Sequence, residues 1–113
     1  MALEAIHRLH REDFRNVSER GKTARSSFLF MQWIRNAARV NRFGFIVSLK
    51  VSRRAVVRNR VRRLLAECVR HHVTFESTTY DVVVVARSGA ATVPGAQVCR
   101  DLVQLMNQAN IVS

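Results

Sequence analysis

Between Lys50 and Arg63 the chain places seven positive side chains, Lys50, Arg53, Arg54, Arg58, Arg60, Arg62 and Arg63, in fourteen residues with no acid among them. Fixed cations at this density bind phosphate oxygens. From Val57 onward the apolar residues Val57, Val61, Leu64, Leu65 and Cys68 fall on the stripe of an amphipathic helix. Asn59, Arg62, Arg63 and Arg70 then point away from the stripe, with Arg58 and Arg60 on its borders. A merely solvated helix face usually mixes signs, with Glu set four residues from Lys or Arg. Here Glu67 alone interrupts the positive field between Arg42 and Arg70. Uncompensated charge disfavours the compact state, so a polyanion, and nucleic acid above all, is its complement.

Hydrolytic chemistry needs metal-binding carboxylates, a His-based acid and base, or an activated nucleophile. The eight acids, Glu4, Glu12, Asp13, Glu19, Glu67, Glu76, Asp81 and Asp101, are scattered and read as helix ends or solvent faces. They form no two-metal cluster. His7 and His10 share a helical face if that stretch is helical, but two histidines without a third ligand do not make a zinc site. His71 and His72 point apart on a helix and supplement the basic surface. No glycine-rich phosphate loop and no Cys-His constellation occurs. The expectation is therefore no catalytic residue, no bound metal and no cofactor for the protein itself.

A chain of 113 residues is long enough for one domain, here residues 1–113, that folds without staples. Its net charge of +11 rests on seventeen Arg and two Lys, which favours planar, bidentate phosphate contacts and stacking over diffuse attraction. An apolar content of 48% excludes a disordered basic tail, and no apolar run approaches a membrane span. Glu4 and the His and Arg residues from His7 onward break any apolar core a signal peptide needs, so a cytoplasmic location is expected. With Cys68 and Cys99 thirty-one positions apart, a reduced chain is expected, without a structural disulfide.

The elements that must position these groups can be read in order. Residues 1–8 carry no structural signal and are read as mobile. Arg11 to Arg20 suits a short helix, with Glu12 and Asp13 in its first turn and Gly21 as its stop. Ser27 to Ile34 reads as a covered strand, and Asn36 to Asn41 as a polar turn. Arg42 to Lys50 alternates, placing Phe43, Phe45, Val47 and Leu49 on a core face, and Gly44, Ile46, Ser48 and Lys50 on a face an extended polynucleotide can approach. His71 to Thr79 reads as a loop. Tyr80 to Ala86, with four consecutive valines, is a strand covered on both faces. Pro94 opens a last helix whose stripe is Val98, Leu102, Leu105, Met106 and Ala109. The fold class is α+β: a single-domain sandwich of three helices on a mixed central sheet of about four strands, in the order α-β-β-β-α-β-α.

Ala55-Val-Val-Arg-Asn-Arg-Val-Arg-Arg-Leu64 resembles the Arg-Asn-Arg signature of the protein component of bacterial ribonuclease P. Arg42-Phe-Gly-Phe-Ile-Val-Ser-Leu-Lys50, Tyr80-Asp-Val-Val-Val-Val-Ala-Arg87 and Glu12-Asp-Phe14 agree in order and spacing, so the resemblance covers about Leu9 to Ala109. It implies a left-handed β-α-β crossover through the basic helix, although topology in general favours the right-handed one. It also implies that a catalytic RNA, using Mg2+ bound mainly by that RNA, removes the 5′ leader of precursor tRNA. By the family pattern Arg58, Asn59, Arg60, Arg62 and Arg63 face the RNA subunit, and Phe14, Ile46, Ser48, Lys50, Arg53 and Arg54 belong to a cleft for the leader. An aromatic at Phe14 serves there as a base-stacking surface as well as core. This chain departs from the family at Ser18, where a second Phe is common, and at Leu49, where the first of two lysines is usual. The expected partners are the catalytic RNA and precursor tRNA, with neither membrane nor protein partner. A ribosomal or assembly protein binding structured RNA is the alternative that charge and layout permit. A helix-turn-helix regulator is opposed by the lack of a helix and tight turn before the basic helix.

Overall fold

Val82, Val83, Val84 and Val85 run without a polar break, so a strand holding them must bury both its faces. In the computed structural model, which describes residues 7–72 and 78–109, they lie in the centre of a mixed sheet. The elements are β1 (His7–Arg8), α1 (Arg11–Arg20), β2 (Lys22–Arg25), β3 (Leu29–Arg35), β4 (Arg42–Ile46), α2 (Ala55–His72), β5 (Tyr80–Ala86) and α3 (Gly95–Gln108). The strand order is β1-β4-β5-β3-β2. β5 is antiparallel to β3 and parallel to β4, so α2 is the crossover of a β-α-β unit. None of the described helices is long and apolar enough to cross a membrane.

Because successive strand residues face opposite ways, the valines divide between two cores. Val82 and Val84 join Leu29, Met31 and Phe43 under the apolar stripes of α2 (Val61, Leu65, Val69) and α3 (Val98, Leu102, Leu105, Met106). Val83 and Val85 turn to the other face, where Leu9, Phe14, Val17 and Ile34 pack with them beneath α1. Each valine buried this fully contributes about 1.5 kcal/mol or more. The three expected helices and the mixed sheet are present.

The differences are local and have physical reasons. A short fifth strand, β1, pairs in parallel with β4, His7 opposite Arg42 and Arg8 opposite Phe43, within the stretch read as mobile. Residues 1–6 of that stretch lie outside the described residues. His7 in this strand and His10 at the start of α1 therefore share no helical face. α2 continues through His72, and residues 73–77 of the expected loop also lie outside the described residues. β4 stops at Ile46, and the Val51 amide donates to the Ser48 carbonyl at 3.0 Å in a turn that leads into α2. Val47 and Val51 plug the core there, whereas Leu49, expected beside them, is 65% exposed. Gly21 does end α1, but with an ordinary φ of −77°. Its reason is proximity, since a Cβ would sit 2.5 Å from the Val17 carbonyl oxygen and 2.8 Å from that of Trp33.

Asp81, expected at an end or on a solvent face, is only 2% exposed. Arg42 donates to it through Nε and Nη2, both at 2.7 Å, and Asn36 Nδ2 donates at 2.7 Å. The parallel register that sets Arg42 opposite Asp81 makes this pairing unavoidable. Arg42 Nη1 also lies 3.5 Å from Asp13, which accepts from the His10 amide at the head of α1. The hydrogen bonds from Arg42 to Asp81 raise the guanidinium pKa further, opposed in part by desolvation. One arginine thus ties α1, β4 and β5 together. Cys68 and Cys99 are disulfide-bonded, against the expectation of a reduced chain. α2 packs on α3, which brings their Cα atoms to 5.7 Å, a separation sequence distance does not reveal.

Candidate nucleic-acid interface

Among the described residues, β4 is paired at its outer edge only with the two residues of β1, and past Phe43 none of them pairs with that edge. Here the start of α1 and the middle of α2 leave a cleft of about 890 Å³, with Phe43, Gly44 and Phe45 of β4 in its wall. α1 supplies Arg11 and Phe14, β1 supplies Arg8, and α2 supplies Asn59, Arg62, Arg63 and Ala66. Phe14 reaches to the strand backbone because position 44 is glycine. A Cβ there would lie 2.2 Å from Phe14 Cζ. The Phe43 and Phe45 rings stack with centroids 6.1 Å apart and planes 14° apart. Phe43 is buried, so Phe14 and the partly buried Phe45 supply the aromatic surface of the cleft beside arginine, which suits stacked bases and their phosphates.

The expected residues separate into three positions. Phe14, Asn59, Arg62 and Arg63 meet in the cleft, and Arg62 Nη1 donates to Asn59 Oδ1 at 2.6 Å, aligning both along one helix face. Ile46 ends β4 at 40% exposure, and Ser48 and Lys50 sit exposed in the following turn rather than on a continuing strand. Ser48 Oγ accepts from the Lys50 amide at 3.2 Å. Arg53 and Arg54 are exposed just before α2, and Arg60 is exposed on it. Arg58 turns back instead: its Nη1 donates to the carbonyls of Ser52 and Arg53 at 3.1 and 3.0 Å, fastening the turn to the helix. Ile46, Ser48, Lys50, Arg53, Arg54, Arg58 and Arg60 do not line this cleft.

Among the described residues, none of Arg53, Arg54, Arg58, Arg60, Arg62 and Arg63 pairs with a carboxylate. The ion pairs lie elsewhere, at Arg42 and at Glu67, which accepts from Arg70 at 2.6 Å. That hydrogen bond holds the Glu67 carboxyl below its ordinary range. Arg70 is thus half-buried and engaged, not part of the free ridge. Within the cleft, no three carboxylate, imidazole or thiol donors of described residues converge.

Arg8, Arg11 and Phe45 join the site without having been singled out. Phe45 was placed in the core, but it is only partly buried. Arg11 precedes Phe14 by three residues, a spacing that puts both on one helix face and was there to be read. A two-residue β1 leaves no periodicity from which Arg8 could be placed.

A two-faced α+β domain whose arginine ridge meets no carboxylate among the described residues, with an aromatic cleft beside it, presents the surface of an RNA-binding protein. The family profile described as Ribonuclease P matches residues 3–110, and the chain belongs to that family. The ribonuclease P protein component of Microcystis aeruginosa is 35% identical, covering 99% of this chain and 98% of its own length. That of Syntrophomonas wolfei is 35% identical, covering 88% of this chain and 82% of its own length. The RNase P protein of Staphylococcus aureus has the same fold, with a TM-score of 0.81 at 22% identity over 97% of this chain and all (100%) of that one. The RNase P protein from Thermotoga maritima gives 0.78 at 24% identity, over 90% and 96%. At such identities the structures speak for the fold, and the sequence matches carry the family.

Proposed function

We propose that this chain, as the protein subunit of ribonuclease P in tRNA 5′-end processing, serves a catalytic RNA by holding two polyanions together. The exposed arginines of the α2 ridge neutralise phosphates of the RNA subunit. The cleft takes the single-stranded 5′ leader of precursor tRNA, with Phe14 as a stacking surface, and Ile46, Ser48 and Lys50 continue its path along the turn after β4. Hydrolysis belongs to magnesium held mainly by the RNA, in the cytoplasm. The protein's own buried carboxylate does not fit a magnesium site, because Asp81 is already bonded by Arg42 and Asn36.

The observation that carries this reading is Phe14 over Gly44, beside Asn59, Arg62 and Arg63 in one open cleft. Aromatic and cationic groups side by side recognise a flexible strand in a way a uniformly charged face does not. Reconstitution tests it. Added to ribonuclease P RNA at low magnesium, the protein should raise the rate of precursor cleavage, and more for precursor with a leader than its affinity for mature tRNA accounts for. No acceleration, together with equal binding of ribosomal RNA, would favour the alternative of a ribosomal or assembly protein.

A further inference from the structure

Where α2 meets α3, packing assembles a Cys-His cluster outside the RNA-facing surface, against the sequence reading that no such constellation occurs, because the two cysteines lie on different helices. Cys68 is bonded to Cys99, and His72 lies one turn after Cys68 on α2. One donor atom from each of the three lies within 4.8 Å of the others. Cys68 is buried, Cys99 half-buried and His72 exposed, so the cluster opens to solvent on the His72 side. His72 Nδ1 is 2.8 Å from the Cys68 carbonyl oxygen. A carbonyl only accepts, so Nδ1 carries the proton, and the neutral ring keeps its lone pair on Nε2. An imidazole that ligates a metal is held in the same way, its other nitrogen donating to a carbonyl or carboxylate.

We propose that the reduced chain binds a zinc ion through Cys68 Sγ, Cys99 Sγ and His72 Nε2. Two thiolates and an imidazole are a donor set zinc takes tetrahedrally, with the fourth position left to water. Zn–S bonds of about 2.3 Å at a tetrahedral angle put the sulfurs about 3.7 Å apart. Cysteines with Cα atoms 5.7 Å apart reach that separation by side-chain rotation. A cellular dithiol supplies the reduction: it gives two electrons and two protons to the Cys68–Cys99 bond and itself becomes a disulfide. Zinc then displaces the two thiol protons to solvent, while His72 contributes a lone pair with no proton lost. Disulfide and metal are mutually exclusive states of one clamp between the helices. The proposal does not depend on the RNA-binding reading.

The test uses the whole chain, reduced with a phosphine that is then removed anaerobically, its fold checked by circular dichroism. Zn2+ is titrated against a chromophoric chelator, and Co2+ separately. The reduced chain should take one equivalent, and cobalt should give a thiolate charge-transfer band with the visible bands of a tetrahedral site. The disulfide-bonded chain should show neither. His72→Ala, a change at an exposed position that leaves both cysteines, should weaken zinc binding by about tenfold or more. Cys99→Ser, which removes one of the two thiolates, should lower the charge-transfer intensity per bound cobalt by about half. Reduced chain that binds no better than oxidised chain overturns the proposal. So does His72→Ala with unchanged affinity and cobalt spectrum.

Discussion

Replacing Arg60 and Arg63 together with alanine separates electrostatic recognition from folding. Arg53 and Arg54, which the resemblance gave to the leader but which stand outside the cleft, are exposed just before α2 beside Arg60 and Arg63 on it, and among the described residues none of the four is paired with a carboxylate. If each neutralises one RNA phosphate, each adds about 0.7–0.9 to the slope of log affinity against log salt. Four contacts give a slope near −3, so that doubling the salt weakens binding roughly tenfold. Removing two of them halves the slope, and the same doubling then costs only about threefold. Exposed substitutions of this kind change stability by about 0.5 kcal/mol or less. The assay is fluorescence anisotropy with ribonuclease P RNA across a monovalent salt series at fixed magnesium, beside urea unfolding of the free protein. Arg58→Ala is the internal comparison. Its guanidinium already holds two backbone carbonyls, so it should cost about 1–3 kcal/mol of stability and change the slope less than Arg60 or Arg63 does. A double variant with the parental slope but a lowered unfolding midpoint would show that the ridge is structural and refute the argument.

Phe14→Ala should weaken binding of leader-bearing precursor more than that of mature tRNA, and Gly44→Ala should do the same by pushing the Phe14 ring aside; equal losses for both RNAs in a binding titration would contradict the cleft assignment. Asp81→Ala strands Arg42 and Asn36 and should cost about 3 kcal/mol in urea unfolding, with Asp13 too distant to compensate fully. Reducing the Cys68–Cys99 bond without added metal frees a loop of 31 residues and should lower stability by about 3–4 kcal/mol, readable as a shift in unfolding midpoint. Glu67 has its pKa lowered by the Arg70 hydrogen bond, so its stabilisation is present above the unfolded carboxylate pKa and is lost as pH falls through the folded one. Glu67→Gln should accordingly lower stability slightly at neutral pH and make the acid limb of a stability-pH profile shallower, the two profiles converging at low pH.

The valine run of β5 and the stripes of α2 and α3 were legible because burial imposes a period that residue types display directly. What escaped the sequence was set by partners distant along it. Alternation from Arg42 to Lys50 continues past Ile46, but the chain must turn inward at Val47 and Val51 to reach α2, which no local pattern states. Asp81 looks like any acid at a strand edge until the parallel register sets it against Arg42. Cys68 and Cys99 looked independent because packing of α2 against α3, not spacing, brings them together. The double role of Phe14, core and stacking surface, was implied by the resemblance alone; what the sequence did not display is the contact with the Gly44 backbone that lets the ring join both the α1 core and the cleft wall.

That double role of Phe14 bears on how the two RNA contacts are divided. The resemblance gave Arg58, Asn59, Arg60, Arg62 and Arg63 as a group to the RNA subunit, and Phe14, Ile46, Ser48, Lys50, Arg53 and Arg54 to the leader. α2 presents successive side chains at about 100° intervals, so a single stretch of helix serves different directions. Arg58 faces the preceding turn, Arg60 faces solvent, and Asn59, Arg62 and Arg63 face the cleft that holds Phe14. The wall of the cleft and the ridge are then two sides of one helix. Anything that moves α2, including the clamp at Cys68 near its other end, moves both contacts together. If, as proposed, the RNA subunit lies along the ridge and the leader in the cleft, a shift of α2 on RNA binding would alter both contacts, and leader affinity should then differ between the free protein and the holoenzyme in a binding titration.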